Sequence, residues 1–196
     1  MSQVFGSNGN TIRVRSGKYI DLVDPKEDQF DFSDIAGGLS KICRFSGQSS
    51  FFYSVAEHSC HCAFQAIQDG YSQDICAAVF GHDFAEFSLT DCPSPLKALL
   101  PEYKILELRM EDVISKKFGL EFRKYHDIIK SIDHSMLIAE KKKMMSPDGV
   151  EWNGEKTVRE ITPDINGWNP DEAEVIFTSY ARFLCVIDNN LMPVER

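Results

Sequence analysis

No run of this chain approaches the roughly 18 consecutive apolar residues of a membrane-spanning helix, so no membrane partner is expected. Positive charge is also scarce. The 21 Lys and Arg stand against 30 Asp and Glu, a formal charge of −9. So acidic a chain is poorly suited to displacing counterions from a nucleic acid polymer, although a local positive pocket could still hold a small phosphorylated molecule. Cysteine pairs with metal-knuckle spacing are missing: Cys60 and Cys62 are too close for one, and Cys43, Cys76, Cys92 and Cys185 are scattered. All six are read as reduced, structural thiols. Met1 to Asn10 is polar and lacks the apolar core of a signal segment, which makes cytoplasmic residence the expectation. Internal repeats and low-complexity tracts are absent. With 43% hydrophobic residues, 196 residues suit one globular domain with a sizeable core.

Strand signals are few. Thr11 to Arg15 and Lys18 to Val23, separated by Ser16-Gly17, predict a small hairpin within an N-terminal extension of residues 1–30. The rest reads as all-α. Asp31 and Ser33 offer caps for a helix carrying Ile35, Leu39 and Ile42, which should end at Arg44-Phe45-Ser46-Gly47. From Val55 to Gln68, Ala56, Cys60, Ala63 and Ile67 form a narrow stripe of small residues suited to close helix packing. The segment Asp74 to Phe87 is apolar nearly all round and is expected to be the central, fully buried helix. Ser94-Pro95 reads as a cap with proline at the first helical position. Pro101 and Gly119 bracket a helix with Leu106, Met110, Val113 and Ile114, and Ile128, Ile129, Ile132, Met136 and Leu137 mark another. Asn169-Pro170-Asp171-Glu172 combines a cap, a proline and a capping-box acid, opening a last helix with Ile176, Tyr180, Phe183 and Ile187 inward. Residues 146–168, with three glycines and two tryptophans, form an irregular loop and a candidate lid.

The chemistry gathers around His82-Asp83, an ionisable pair closing the apolar run Ile75 to Phe80. A buried carboxylate needs a partner, and a metal supplies one. On a helix, neighbouring side chains diverge by about 100°, so two such ligands need others from elsewhere. His58 lies near the start of the small-residue helix, and Asp133 interrupts an apolar face between Ile129 and Met136. Two imidazoles and two carboxylates suit zinc, manganese, iron or cobalt better than magnesium. His61, one turn after His58, competes for its role if that helix is rotated, but reads more simply as a surface residue. His126 and His134 show no comparable pattern.

The ordered set Val55-Ala56-Glu57-His58-Ser59, His82-Asp83-Phe84-Ala85-Glu86 and Asp133 resembles the H...HD...D signature of HD-domain phosphohydrolases. It is most similar to small phage and bacterial members acting on deoxynucleotides: the dATP triphosphohydrolases and the 5'-deoxynucleotidases. The resemblance covers about Ser33 to Asp133 and implies an HD-domain helical bundle with His58, His82, Asp83 and Asp133 on the metal. It further implies that Glu86 assists the attacking water or the leaving group, with Asp91 as a second acid. In the segment Cys43-Arg44-Phe45 it implies an arginine facing phosphate and a ring near the sugar or base. Lys97 is a further candidate for the phosphate tail, with magnesium accompanying a triphosphate.

By this resemblance the expected reaction converts dATP to deoxyadenosine and triphosphate. A nucleotidase acting on deoxynucleoside monophosphates is the alternative, and a nucleotide-binding sensor is the alternative of another class. A homo-oligomer in the cytoplasm, of the host if phage-encoded, is implied as well. Where many relatives have histidine, this chain has Gly37-Gly38, which either opens space for a base or loosens a helix.

Overall fold

The computed structural model describes residues 9–188, so residues 1–8 of the polar N-terminal stretch lie outside it. Strands β1 (Thr11–Arg13) and β2 (Tyr19–Asp21) pair antiparallel with Ile12 opposite Ile20, forming the expected hairpin. Both are shorter than their β-type runs. The Val14–Lys18 turn takes one end, with Gly17 at φ 91°, and the Asp21 carboxylate caps the Val23 and Asp24 amides at the other. Ile20 is fully buried and ties the hairpin to the core.

The rest is helical: α1 (Phe32–Leu39), α2 (Val55–Gln68), α3 (Gln73–Gly81), α4 (Glu86–Leu89), α5 (Ser94–Lys97), α6 (Pro101–Phe118), α7 (His126–Met144) and α8 (Pro170–Phe183). The architecture is therefore all-α with a small N-terminal hairpin. Among the described residues no helix is long and apolar enough to cross a membrane.

The central helix is α2, not α3. Its small side chains let α1, α3, α7 and α8 all pack against it, and every residue from Val55 to Ala63 is buried, Glu57 and His58 included. Ser54 starts α2, its Oγ accepting the Glu57 N–H at 3.1 Å. An aromatic cluster joins the neighbouring elements: Phe80 lies 4.5 Å from Phe177 between ring centroids, and Phe32 and Phe84 complete it.

Four local expectations are corrected. Helix α1 stops at Leu39, leaving Ile42 in the segment beyond it, and the Asp31 carboxylate accepts from Lys18 instead of capping. Helix α3 ends at Gly81, after which Phe84 N–H bonds Gly81 O and Glu86 N–H bonds Asp83 O, tight three-residue turns that reset the backbone before α4. Ser94 is the first residue of α5 instead of its cap, which is Pro93. On α8 the buried stripe is Ala173, Phe177 and Ala181, while Phe183 is 68% exposed. Small residues set that face because α8 crosses close to α2.

Candidate metal centre

Three helices bring the site together. His58 comes from the first turn of α2, His82 caps the end of α3 with Asp83 just beyond, and Asp133 stands two turns into α7. His58 Nε2 lies 3.4 Å from His82 Nε2 and 3.4 Å from Asp133 Oδ1, and His82 Nε2 lies 3.7 Å from that oxygen. Asp83 sits against the same atoms, 3.5 Å from His58 Nε2 and 3.3 Å from His82 Nε2.

The donors suit a divalent ion. A tetrahedral cation about 2.0–2.1 Å from each nitrogen or oxygen requires donors roughly 3.3 Å apart, close to the separations found. His58, His82 and Asp133 could therefore hold a metal ion, with Asp83 beside them. The ring tautomers also suit ligation. His82 Nδ1 lies 2.7 Å from the Val79 carbonyl and His58 Nδ1 lies 2.6 Å from Glu140 Oε1, so both rings donate from Nδ1 and turn an Nε2 lone pair inward.

The local field favours positive charge. Burial opposes ionisation of Asp133, yet the adjoining His58 and His82 rings hold it well below the usual carboxylate range. Asp83 is likewise lowered, the two histidines outweighing its burial. His58 is raised: burial and Arg44 disfavour its charged form, but Cys62, Glu140 and Asp133 prevail.

Around the centre stand the other expected residues. Residues 42–44 run beside 53–55, with Arg44 N–H bonded to Tyr53 O at 3.0 Å and Val55 N–H to Ile42 O at 3.0 Å, which carries Arg44 to the start of α2. The guanidinium is buried, its Nη1 3.5 Å from Asp83 and its Nε 3.2 Å from Glu140. Phe45 follows at φ 55°, a left-handed conformation strained for an aromatic residue.

Glu86 opens α4 instead of continuing α3. It is buried, its Oε2 has no hydrogen-bond partner, and burial, with Asp83 and Asp91 adding, pushes its pKa well above the usual range. Burial also raises Asp91, with Asp83 adding and Arg44 opposing. Lys97 is half-buried and ion-paired with Glu107 of α6, so it is not a free surface lysine.

Three residues of the centre escaped sequence reasoning. Glu140, fully buried, accepts from His58, Tyr53 and Arg44. Its signal was its position seven residues after Asp133, hence on the same face of α7. Tyr53 had no pattern to reveal it. Cys62, one turn after His58, puts its Sγ 3.5 Å from His58 Nε2. His61 is buried between Tyr53 and Trp168, 3.6 Å from Glu57, and is neither on the surface nor in the centre.

The paired glycines have a packing role. A Cβ on Gly38 would stand 3.1 Å from the Phe87 Cβ, and one on Gly37 would meet the Arg15 guanidinium, so α1 lies close to its neighbours instead of opening a space. The irregular loop 146–168 is fastened in place: Glu57 accepts the N–H groups of Gly167 and Trp168 at 3.0 and 2.7 Å, Glu155 pairs with Lys141, and Trp152 rests 6.2 Å from the Phe45 ring.

No family model matches the chain. It is 37% identical over 141 residues to the uncharacterized protein YfdR of Escherichia coli K12, covering 72% of this chain and 76% of that protein. It is also 34% identical over 113 residues to an uncharacterized protein of Rhodobacter capsulatus, covering 55% of this chain and 58% of that one. On the extent of the first match, the chain belongs to the same family as YfdR.

Proposed function

We propose that this protein is an HD-type metal-dependent phosphohydrolase that cleaves deoxynucleoside triphosphates at the α-phosphorus, with dATP favoured by resemblance. The observation that carries the reading is the pair of imidazoles, each tied at Nδ1 and turned at Nε2 toward Asp83 and Asp133, with a buried arginine alongside. His58, His82, Asp83 and Asp133 would hold the cation. Once bound, it would supply Lewis-acid activation of water and of the attacked phosphoryl group.

The protein's own groups do the rest. Arg44 provides positive charge for the phosphoryl oxygens, and its planar fork suits them. The oxygen of a water bonds to phosphorus and that water releases a proton to solvent, the bond from phosphorus to the sugar oxygen O5' breaks, and the departing alkoxide takes up a proton. Glu86, kept protonated by burial and by Asp83 and Asp91, suits that donor role. Asp91 adds negative charge that keeps the Glu86 proton in place. Phe45, beside Arg44, offers a ring face for the sugar or base.

A second reading, a 5'-deoxynucleotidase, breaks the same bond with only one phosphate attached. It is favoured by the ion pair of Lys97 with Glu107, which leaves less positive charge for a β,γ-phosphate tail. Product chromatography after incubating metal-loaded protein with the dNTPs, NTPs and dNMPs separates the two, with Asp83→Ala as the blank. Deoxyadenosine plus intact triphosphate is the expected result. Activity confined to monophosphates would select the second reading, and no turnover with any nucleotide would refute both in favour of a binding module.

A further inference from the structure

Within the described core, Glu140 is a carboxylate with no measurable exposure, and its two oxygens serve different masters. Oε1 lies 2.6 Å from His58 Nδ1 and accepts the Tyr53 hydroxyl at 2.8 Å, while Oε2 accepts Arg44 Nε at 3.2 Å. Its flanking buried neighbours along α7 are Met136, Ile138 and Met144, so an apolar side chain would fit the fold at this position. Exchanging a whole buried ionic network for apolar residues of similar volume is often neutral or stabilising, whereas removing one partner leaves the others uncompensated. The acid is therefore accounted for by its three polar partners, His58, Tyr53 and Arg44, and not by its apolar neighbours on α7.

We propose that Glu140 is the positioning residue of the centre: one buried carboxylate that sets the His58 tautomer through Oε1 and the Arg44 orientation through Oε2, so that cation affinity and phosphate affinity are set together. The phosphate half rests on the hydrolase reading above, whereas the cation half requires only that the centre binds a metal. Three donors converge on Glu140, and a carboxylate can accept from all of them because both its oxygens are acceptors. Glutamine cannot. With its amide oxygen toward His58, its NH₂ faces the Arg44 Nε–H, donor against donor. Turned around, it donates to His58 Nδ1, which moves the imidazole proton to Nε2 and removes the lone pair that faces Asp83, Asp133 and His82.

The test measures zinc affinity by competition with a chromogenic chelator for wild type, Glu140→Gln, Glu140→Met and Tyr53→Phe, with circular dichroism confirming the fold. Removal of a carboxylate partner from a ligating histidine weakens metal binding about 10- to 100-fold, and both Glu140 variants are expected to show that loss while retaining wild-type helicity. Tyr53→Phe removes one donor but leaves the tautomer in place, and is expected to lose no more than a few-fold. Nitrogen-15 spectra of zinc-loaded wild type should show the His58 proton on Nδ1, a measurement that needs no variant to fold. For the phosphate half, metal-saturated Glu140→Gln should raise KM for the nucleotide more than it lowers kcat.

Unchanged zinc affinity in Glu140→Gln, or a His58 proton on Nε2 in the wild type, would overturn the proposal, and so would a wild type that binds no zinc. A wild type that binds zinc but turns over no nucleotide would refute the hydrolase reading alone, leaving the affinity and tautomer results to decide the role of Glu140.

Discussion

Replacing Glu111 by glutamine should stabilise this protein at alkaline pH and leave it nearly unchanged in acid. Glu111 lies on α6 one turn after Glu107, and its carboxyl is moved from an ordinary 4.5 to about 7, chiefly by burial and then by the charge of Glu107, with Lys130 and Lys97 opposing. Below pH 4.5 the group is protonated in both the folded and the unfolded chain, so it costs nothing. Between pH 4.5 and 7 the unfolded chain releases the proton and the folded one holds it, so stability falls as pH rises. Above pH 7 the loss is complete and constant. The slope is ~1.4 kcal/mol per pH unit, so the whole displacement amounts to roughly 3 kcal/mol. Solvent screening at the exposed edge of the side chain reduces this to about 2 kcal/mol.

Glutamine copies the shape of the protonated acid and cannot ionise, so the variant escapes the loss. For a chain of this size about 2 kcal/mol corresponds to roughly 4–8 °C in Tm. Thermal unfolding of both proteins in reductant, followed by circular dichroism from pH 5 to 8.5, should show a gap that opens with pH and levels off above 7. A gap that is constant across the range, or a wild type more stable than the variant at pH 8, would refute the reasoning.

Three further outcomes follow from named contacts. Glu86→Gln should lower kcat by about 10²- to 10⁴-fold, the usual contribution of a general acid, while metal content, measured by elemental analysis, stays at the wild-type level. Phe177→Ala removes a fully buried ring from the aromatic cluster with Phe32, Phe80 and Phe84; denaturant unfolding should register a loss of about 3–5 kcal/mol. Asn169→Ala removes the side-chain oxygen that accepts the Asp171 and Glu172 N–H groups at the start of α8, leaving only the backbone half of the capping box. It should cost about 1–2 kcal/mol in the same assay.

The candidate metal centre was legible because its members break local patterns. Asp133 is an acid on an apolar face, and His82-Asp83 terminates an apolar run, so each announces itself within a few residues of its own neighbours. Glu140 carries a weaker signal of the same kind. It is followed at once by Lys141, Lys142 and Lys143 and therefore looks like part of a solvated helix end. What buries it is the approach of α7 to α2, a contact between residues 82 positions apart. Glu86 does not continue the helix expected over Asp74 to Phe87, since α3 stops at Gly81 and tight turns carry the chain to α4.

Local physics, written along the chain, determined the hairpin around Gly17, the capping box of α8, the left-handed stop at Gly119 and the helical character of the long periodic segments. These depend on backbone conformations and on partners only a few residues away. Tertiary structure decided which helix lies at the centre, which face of α8 turns inward and which charged groups meet. Those outcomes depend on how closely helices far apart in sequence can approach. Small side chains on α2 permit that approach, and it brings the Glu140 carboxylate against His58, Tyr53 and Arg44.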